Sequence, residues 1–146
     1  MTGQDSGMDY KERALRRIAP LLEQHPYISI EFAENSFRTV MGNRNPNILG
    51  NFSGGDMAYI ANASAGLACV IDGVIAQTAS INVECVSRGD GEYLVSDAVL
   101  VSKGSKLIRL RCDVYVRLNN EEKLVAIAQL NMSPMTDAGL AIRILQ

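Results

Sequence analysis

The sequence predicts an α+β domain in which an antiparallel β-sheet wraps around one central, nearly enclosed helix. Three observations predict it. The stretch from Met57 to Ile71 reads as a helix whose small residues, Ala58, Ala61, Ala65, Gly66 and Ala68, leave little bulk around the cylinder, so a sheet can approach on more than one side. From Ala79 onward the apolar residues recur with period two through four successive segments. With 146 residues, 47% of them hydrophobic, the chain is long enough to bury about two thirds of its unfolded surface around one core.

The elements follow in order. Residues 1–9 are polar and contain Gly and Ser, and are expected to be disordered; residues 10–146 are read as a single domain. Tyr10, Ala14, Leu15, Ile18, Leu21 and Leu22 mark one face of a first helix, with Pro20 as an expected kink or break. After His25-Pro26 the period changes to two. Ile28, Ile30 and Phe32 open an early strand that continues less regularly to Val40. The segment Gly42 to Gly55 holds four Gly, four Asn and a Pro, which is turn chemistry, and long loops in small domains are often functional. The central helix is opened by Ser53 or Asp56 as cap and closed by Asp72-Gly73.

Four strands in antiparallel succession complete the domain. Ala79, Ile81, Val83 and Cys85 alternate with Ser80, Asn82 and Glu84; a turn at Arg88-Gly-Asp-Gly leads to Tyr93–Ser102, and a second turn centres on Lys103-Gly104-Ser105. Ile108, Leu110, Cys112, Val114, Val116 and Leu118 then face the core, while Arg109, Arg111, Asp113 and Arg117 face solvent or another subunit. Asn119 to Glu122 turns the chain into a last strand carrying Leu124, Ala126, Ala128, Leu130 and Met132.

Composition excludes several classes. Fourteen Lys+Arg against 16 Asp+Glu give a net charge of -2 and no electrostatic footprint for nucleic acid. No apolar run approaches a membrane span, and the N-terminus lacks the basic-then-apolar order of a signal peptide, so the expected location is cytoplasmic. Cys69, Cys85 and Cys112 have no CxxC spacing and only His25 beside them in the inventory, so they are read as reduced core residues and no metal site is expected.

The segment Asn47-Ile-Leu-Gly-Asn-Phe-Ser53-Gly54-Gly55 resembles the Asn-x-x-Gly-x-x-His-Gly-Gly loop of phenylacetate-degradation-type acyl-CoA thioesterases, in the 4-hydroxybenzoyl-CoA thioesterase superfamily. Ser87-Arg88-Gly89-Asp90-Gly91 and Lys103-Gly104-Ser105-Lys106 resemble two hairpin turns of the same family, and the resemblance spans roughly Ile18 to Met132. It implies the hot-dog fold and an acyl-CoA thioester hydrolase working as a homodimer or dimer of dimers, its sites between subunits. No separate cofactor is implied, because CoA is part of the substrate.

The resemblance also assigns residues. Gly54 N–H would stabilise the oxyanion, as a helix N-terminus with its dipole behind it is suited to do. Asn47 would hold the carbonyl or the water. Thr78 matches a hydroxyl that assists the water across a subunit boundary, with Gln77 and Ser80 as alternatives in register. Arg88, Lys103, Gly104 and Lys106 would meet the phosphates of CoA; the plainer reading of the lysines is a solvated turn.

Two departures weaken the chemistry. The family histidine is Ser53 here, and the acidic residue nine positions later is Asn62. An amide can orient a water or polarise a carbonyl, but it takes no proton at physiological pH. Ser53 then reads equally well as a helix cap, and Asn62 as an amide that braces the Gly-rich loop. Asp56 reads as a first-turn carboxylate, Glu84 as a solvated or dimer-contact charge, His25 as a surface loop residue, and Cys69 as core. The competing function is an acyl-CoA or acyl-ligand binding protein that has lost its carboxylate; hydratase chemistry would need a His/Asp pair that the loop does not present.

Overall fold

The structure, a computed structural model, describes residues 9–42 and 51–135. Asn47 and most of residues 1–9 therefore lie outside the described residues.

Helix α1 (Tyr10–Leu22) begins at Asp9, whose carboxylate accepts the Glu12 N–H at 2.8 Å. It runs through Pro20 to Leu22, so the proline does not end it; lacking an N–H, Pro20 leaves the Arg16 carbonyl without its i+4 donor while the last turn still forms. The face expected to be apolar buries Ala14 and Ile18, whereas Leu15 is exposed.

The single early strand is two. β1 (Ile28–Phe32) and β2 (Phe37–Gly42) form an antiparallel hairpin whose turn is closed by Ala33 N–H donating to Ser36 O at 2.9 Å. Glu34-Asn35-Ser36 is polar turn sequence inside a stretch that local alternation had carried to Val40.

Helix α2 (Gly54–Ile71) starts at Ser53 and closes with Gly73 at φ 87°. Val74 N–H donates to Cys69 O and Gly73 N–H to Val70 O, the paired C-terminal bonds that need a residue in the left-handed region. Ile60, Ala61, Ser64 and Ala65 are fully enclosed, as the small-residue pattern requires.

Strands β3 (Ala76–Cys85), β4 (Tyr93–Lys103), β5 (Ile108–Leu118) and β6 (Glu121–Pro134) complete a six-stranded sheet of order β1-β2-β4-β5-β6-β3, antiparallel at every pairing. The expected succession therefore needs correction: β3 does not pair with β4 but crosses to the far edge beside β6. Nothing local distinguishes the two. A β3–β4 turn and a β3-to-β4 crossover begin with the same Gly-rich signal at residues 88–91. At Gly91 a Cβ would lie 2.4 Å from Val116 Cγ2 and 2.9 Å from Arg117 O, so this connection needs glycine to lie against β5. The β5–β6 hairpin uses a two-residue turn with Asn119 and Asn120 at φ 51° and 66°, the geometry asparagine tolerates best after glycine.

The concave face of the sheet packs on α2 through Met41, Leu94, Leu110, Cys112, Val114, Val125, Ala128 and Leu130. A second cluster, Ile18, Phe37, Leu67, Val70 and Ile75, joins α1 to the other side of α2. Two expectations of burial are corrected. Leu118, at the end of β5, is 46% exposed. Cys85 is exposed rather than core, because β3 is an edge strand with nearly every residue open to solvent, whereas Cys69 and Cys112 are buried. Burial pushes the Cys69 thiol up to about 11 and the Cys112 thiol up to about 12, so neither supplies a thiolate nucleophile.

Candidate functional site

Two features of α2 carry the site residues, and they lie at different places along the helix. The first is its N-terminus. Ser53 Oγ accepts the Asp56 N–H at 3.1 Å, and Asp56 Oδ2 accepts both the Ser53 N–H at 2.8 Å and the Ser53 hydroxyl at 3.0 Å. This reciprocal cap occupies Ser53 and Asp56 together, the plainer of the two readings of each. It satisfies one of the orphan donors of the first turn and leaves the N–H groups of Gly54 and Gly55 at the open helix end, where the dipole favours negative charge. A Cβ at Gly54 would stand 3.3 Å from Cys85 Sγ, so this end of α2 lies against the end of β3.

The second feature is Asn62. It is exposed on α2, and its Oδ1 accepts the Thr78 hydroxyl at 2.5 Å within the same chain. Thr78 also lies 3.6 Å from Met132 Sδ. Of the three hydroxyl or amide candidates in register, the fold thus brings Thr78 to Asn62; Ser80 instead accepts from Asn131 Nδ2 at 2.9 Å. The selection is made by an irregularity between Thr78 and Ser80 in the pairing of β3 with β6, which re-aims the strand there. Asn62 is not a buried amide bracing the loop.

Asn62 and Thr78 open on a cavity of about 220 Å³. Its walls come from the end of α1 and the loop after it (Leu21, His25), from α2 (Tyr59, Ala63, Gly66, Val70) and from β3 and β6 (Gln77, Met132). The lining is apolar apart from His25, Tyr59, Asn62, Gln77 and Thr78. His25 is half-buried here, not a surface loop residue: its Nδ1 lies 2.8 Å from the Tyr59 hydroxyl. Sequence reasoning missed this pair. The available signal was Tyr59 three residues before Asn62, which puts both on one helix face; nothing local shows that the chain after α1 folds back to it.

The proposed CoA contacts are not assembled within one chain. Lys103 Nζ lies 2.6 Å from Asp72 Oδ2, and Gly104 N–H donates to Leu107 O at 2.9 Å, so both sit at the β4–β5 turn beside the C-terminus of α2. Lys106 is exposed in the same turn. Arg88 pairs with Asp90 at 3.4 Å at the other end of the sheet, next to Gly89, whose carbonyl accepts the Phe52 N–H. Two of the three arginines of β5 have structural partners: Arg111 meets Asp113, and Arg117 meets Glu31 and Glu122 at 2.7 and 2.8 Å. Among the described residues no group of three His, Cys, Asp or Glu side chains could hold a metal ion, and no helix is long and apolar enough to cross a membrane.

The class defined by this architecture is the hot-dog fold, a curved antiparallel sheet around a central helix, and solved structures share it closely. A thioesterase family protein from Silicibacter pomeroyi superposes with a TM-score of 0.72 at 16% identity, covering 86% of this chain and 98% of its own. The PaaI protein from the phenylacetic acid degradation operon of E. coli gives 0.72 at 16% identity, covering 85% of this chain and 94% of its own. A Bacillus halodurans protein solved with CoA gives 0.68 at 20% identity, covering 90% and 97%. No protein-family model and no curated protein matches the chain.

Proposed function

We propose that this protein is an acyl-CoA thioester hydrolase whose active site forms between two subunits of a homodimer, alone or within a dimer of dimers. The observation that carries the reading is the Asn62–Thr78 pair at the mouth of a largely apolar cavity, on the helix and strand of a hot-dog fold. The Bacillus halodurans neighbour was solved with CoA, which supports the ligand class.

The separation of the two site features argues for two subunits. Gly54 and Asn62 are eight residues apart on α2, about 12 Å along the axis, too far to act on one carbonyl. Gly54 lies against Cys85 and Asn62 against Thr78. β3 is an exposed edge, so its N–H and C=O groups can pair with a second copy. A two-fold axis between Ile81 and Asn82 would set Thr78 opposite Cys85 of the partner subunit, bringing each Asn62 to the other chain's Gly54. The same axis carries Arg88 of one chain toward the end of the sheet that holds Lys103, Gly104 and Lys106 of the other, where the phosphates of CoA would bind.

In this arrangement the thioester carbonyl oxygen points at Gly54 N–H and the dipole of α2, which stabilise the developing oxyanion. Asn62 and Thr78 hold the attacking water: the Thr78 proton is given to Asn62 Oδ1, so the threonine oxygen accepts from the water and the amide Nδ2 donates to it. The apolar cavity receives the acyl group. Asn47 completes the set in the reading, and Ser53 contributes by holding the helix end. The protein is proposed to act in the cytoplasm, on acyl-CoA and without a separate cofactor.

One observation favours a second reading: position 62 carries an amide where a base is needed, which fits a protein that binds acyl-CoA without turnover. Release of free CoA from short, medium, long and aromatic acyl-CoAs tests the two. Hydrolysis is expected from the native protein and a fall of about a hundredfold in Asn62→Ala. Saturable binding without turnover, with activity appearing in Asn62→Asp, would establish the binding protein instead.

A further inference from the structure

Hydrolysis needs a group that takes a proton from the attacking water, and neither Asn62 nor Thr78 can hold one. Resting on the thioesterase reading, we propose that Tyr59 and His25 form a proton relay that replaces the missing carboxylate.

Four observations meet here. His25 Nδ1 lies 2.8 Å from the Tyr59 hydroxyl, with the rings edge to face at 6.0 Å between centroids. Both residues line the cavity on which Asn62 and Thr78 open. Tyr59 precedes Asn62 by three positions on α2, so the phenol and the amide are neighbours on one helix face. Finally, none of the other residues that α1, α2, β3 and β6 turn into the cavity carries a titratable group: the rest of its polar lining is Asn62, Gln77 and Thr78. The pair is the cavity's whole capacity for acid-base chemistry. It is built from two distant parts of the chain, 34 residues apart, where the plainer role of His25 would be a solvated loop.

The step balances without a further reactant. In the tautomer protonated on Nε2, His25 Nδ1 accepts the Tyr59 proton. As water held by Asn62 and Thr78 attacks the carbonyl carbon, its proton passes to the Tyr59 oxygen and the phenolic proton passes to Nδ1, giving imidazolium and a tetrahedral oxyanion. Collapse breaks the C–S bond, and the sulfur takes the proton back from the imidazolium through Tyr59. The products are the carboxylic acid and free CoA, with His25 neutral again. Tyr59 is the catalytic residue; His25 acts through it and is a positioning and proton-storing residue.

The test is kcat and KM for acyl-CoA hydrolysis against pH in the native protein, His25→Gln, Tyr59→Phe and the double variant, with folding checked by thermal melting. The native profile is expected to fall on the acid side, because a proton already on the accepting nitrogen blocks the transfer from Tyr59. Each single variant should lose about a hundredfold in kcat with KM little changed, the acid limb should vanish, and the double variant should be no worse than either single one, since groups in series fail together. A His25→Gln enzyme within about threefold of native that keeps the acid limb overturns the relay. Should His25→Gln not fold, Tyr59→Phe, which keeps the ring in place, decides on the same criteria. Native protein that binds acyl-CoA but never releases CoA removes the hydrolase reading and the relay together, whereas turnover with an unmoved profile removes the relay alone.

Discussion

If each site takes Asn62 from one chain and Gly54 from the other, two inactive variants should restore each other. The variants are Gly54→Pro and Asn62→Ala. Proline at Gly54 deletes the N–H and little else: position 54 is the first residue of α2, where proline is well accepted, and Ser53 before it is already extended at φ -85°, ψ 166°. The ring must displace Cys85 Sγ by a few tenths of an ångström from its 3.3 Å approach, and Cys85 is an exposed side chain able to move. Loss of one oxyanion donor costs about 10²–10³ in kcat, so either homodimer should run near background. In a heterodimer, the chain carrying Gly54→Pro supplies Asn62 and the chain carrying Asn62→Ala supplies Gly54. One site is then intact and the other lacks both groups. Heterodimer purified through two different affinity tags should therefore recover about half the native kcat per dimer. A heterodimer no more active than its parent homodimers, beside an active native protein, would refute the shared site and the two-fold pairing of β3 on which it rests.

Three further outcomes are expected. Thr39 is fully buried on β2 with no hydrogen-bond partner for its hydroxyl among the described residues, so Thr39→Val should stabilise the fold by about 1 kcal/mol, raising the melting temperature by about 3 °C. Gly91→Ala places a methyl group 2.4 Å from Val116 Cγ2 and should cost about 1–3 kcal/mol in urea unfolding; an unchanged midpoint would mean that the connection does not lie against β5. Hydrogen bonding to Arg38 and Arg117 holds the Glu122 carboxyl below its usual range, and bonding to Arg117 does the same for Glu31. Depressed carboxylates stabilise the fold above their unfolded pKa and lose that contribution as pH falls through the folded one, so urea midpoints should be flat from pH 7 to about 5 and decline below about 4. The decline should be shallower in Glu31→Gln, and small throughout, because these pairs are partly solvated.

Much of the site was legible one residue at a time. The reciprocal cap of Ser53 and Asp56 follows from short-range geometry, since a serine three positions before an acidic residue satisfies helix donors in any fold. The assignment of Thr78 over Ser80 could not be read, because it depends on an irregularity in pairing with β6, fifty residues downstream. His25 was set aside for the same reason. A histidine before a proline at a helix end is a loop residue by every local rule, and only the packing of α1 on α2 through Ile18, Leu67 and Val70 carries it to Tyr59.

What the sequence determined by itself were the elements whose cause is local: the small-residue helix, the alternation of β5, the Asn-Asn turn and the glycine that closes α2. Side-chain period, cap chemistry and left-handed backbone are properties of a few consecutive residues, so they survive without knowledge of the fold. Tertiary structure alone decided that the early strand folds into a hairpin, that β3 crosses to the free edge beside β6, and that Asn62, Thr78, Tyr59 and His25 share one cavity. Those outcomes turn on which distant surfaces bury each other, a free energy summed over the whole chain and written in no single segment of it.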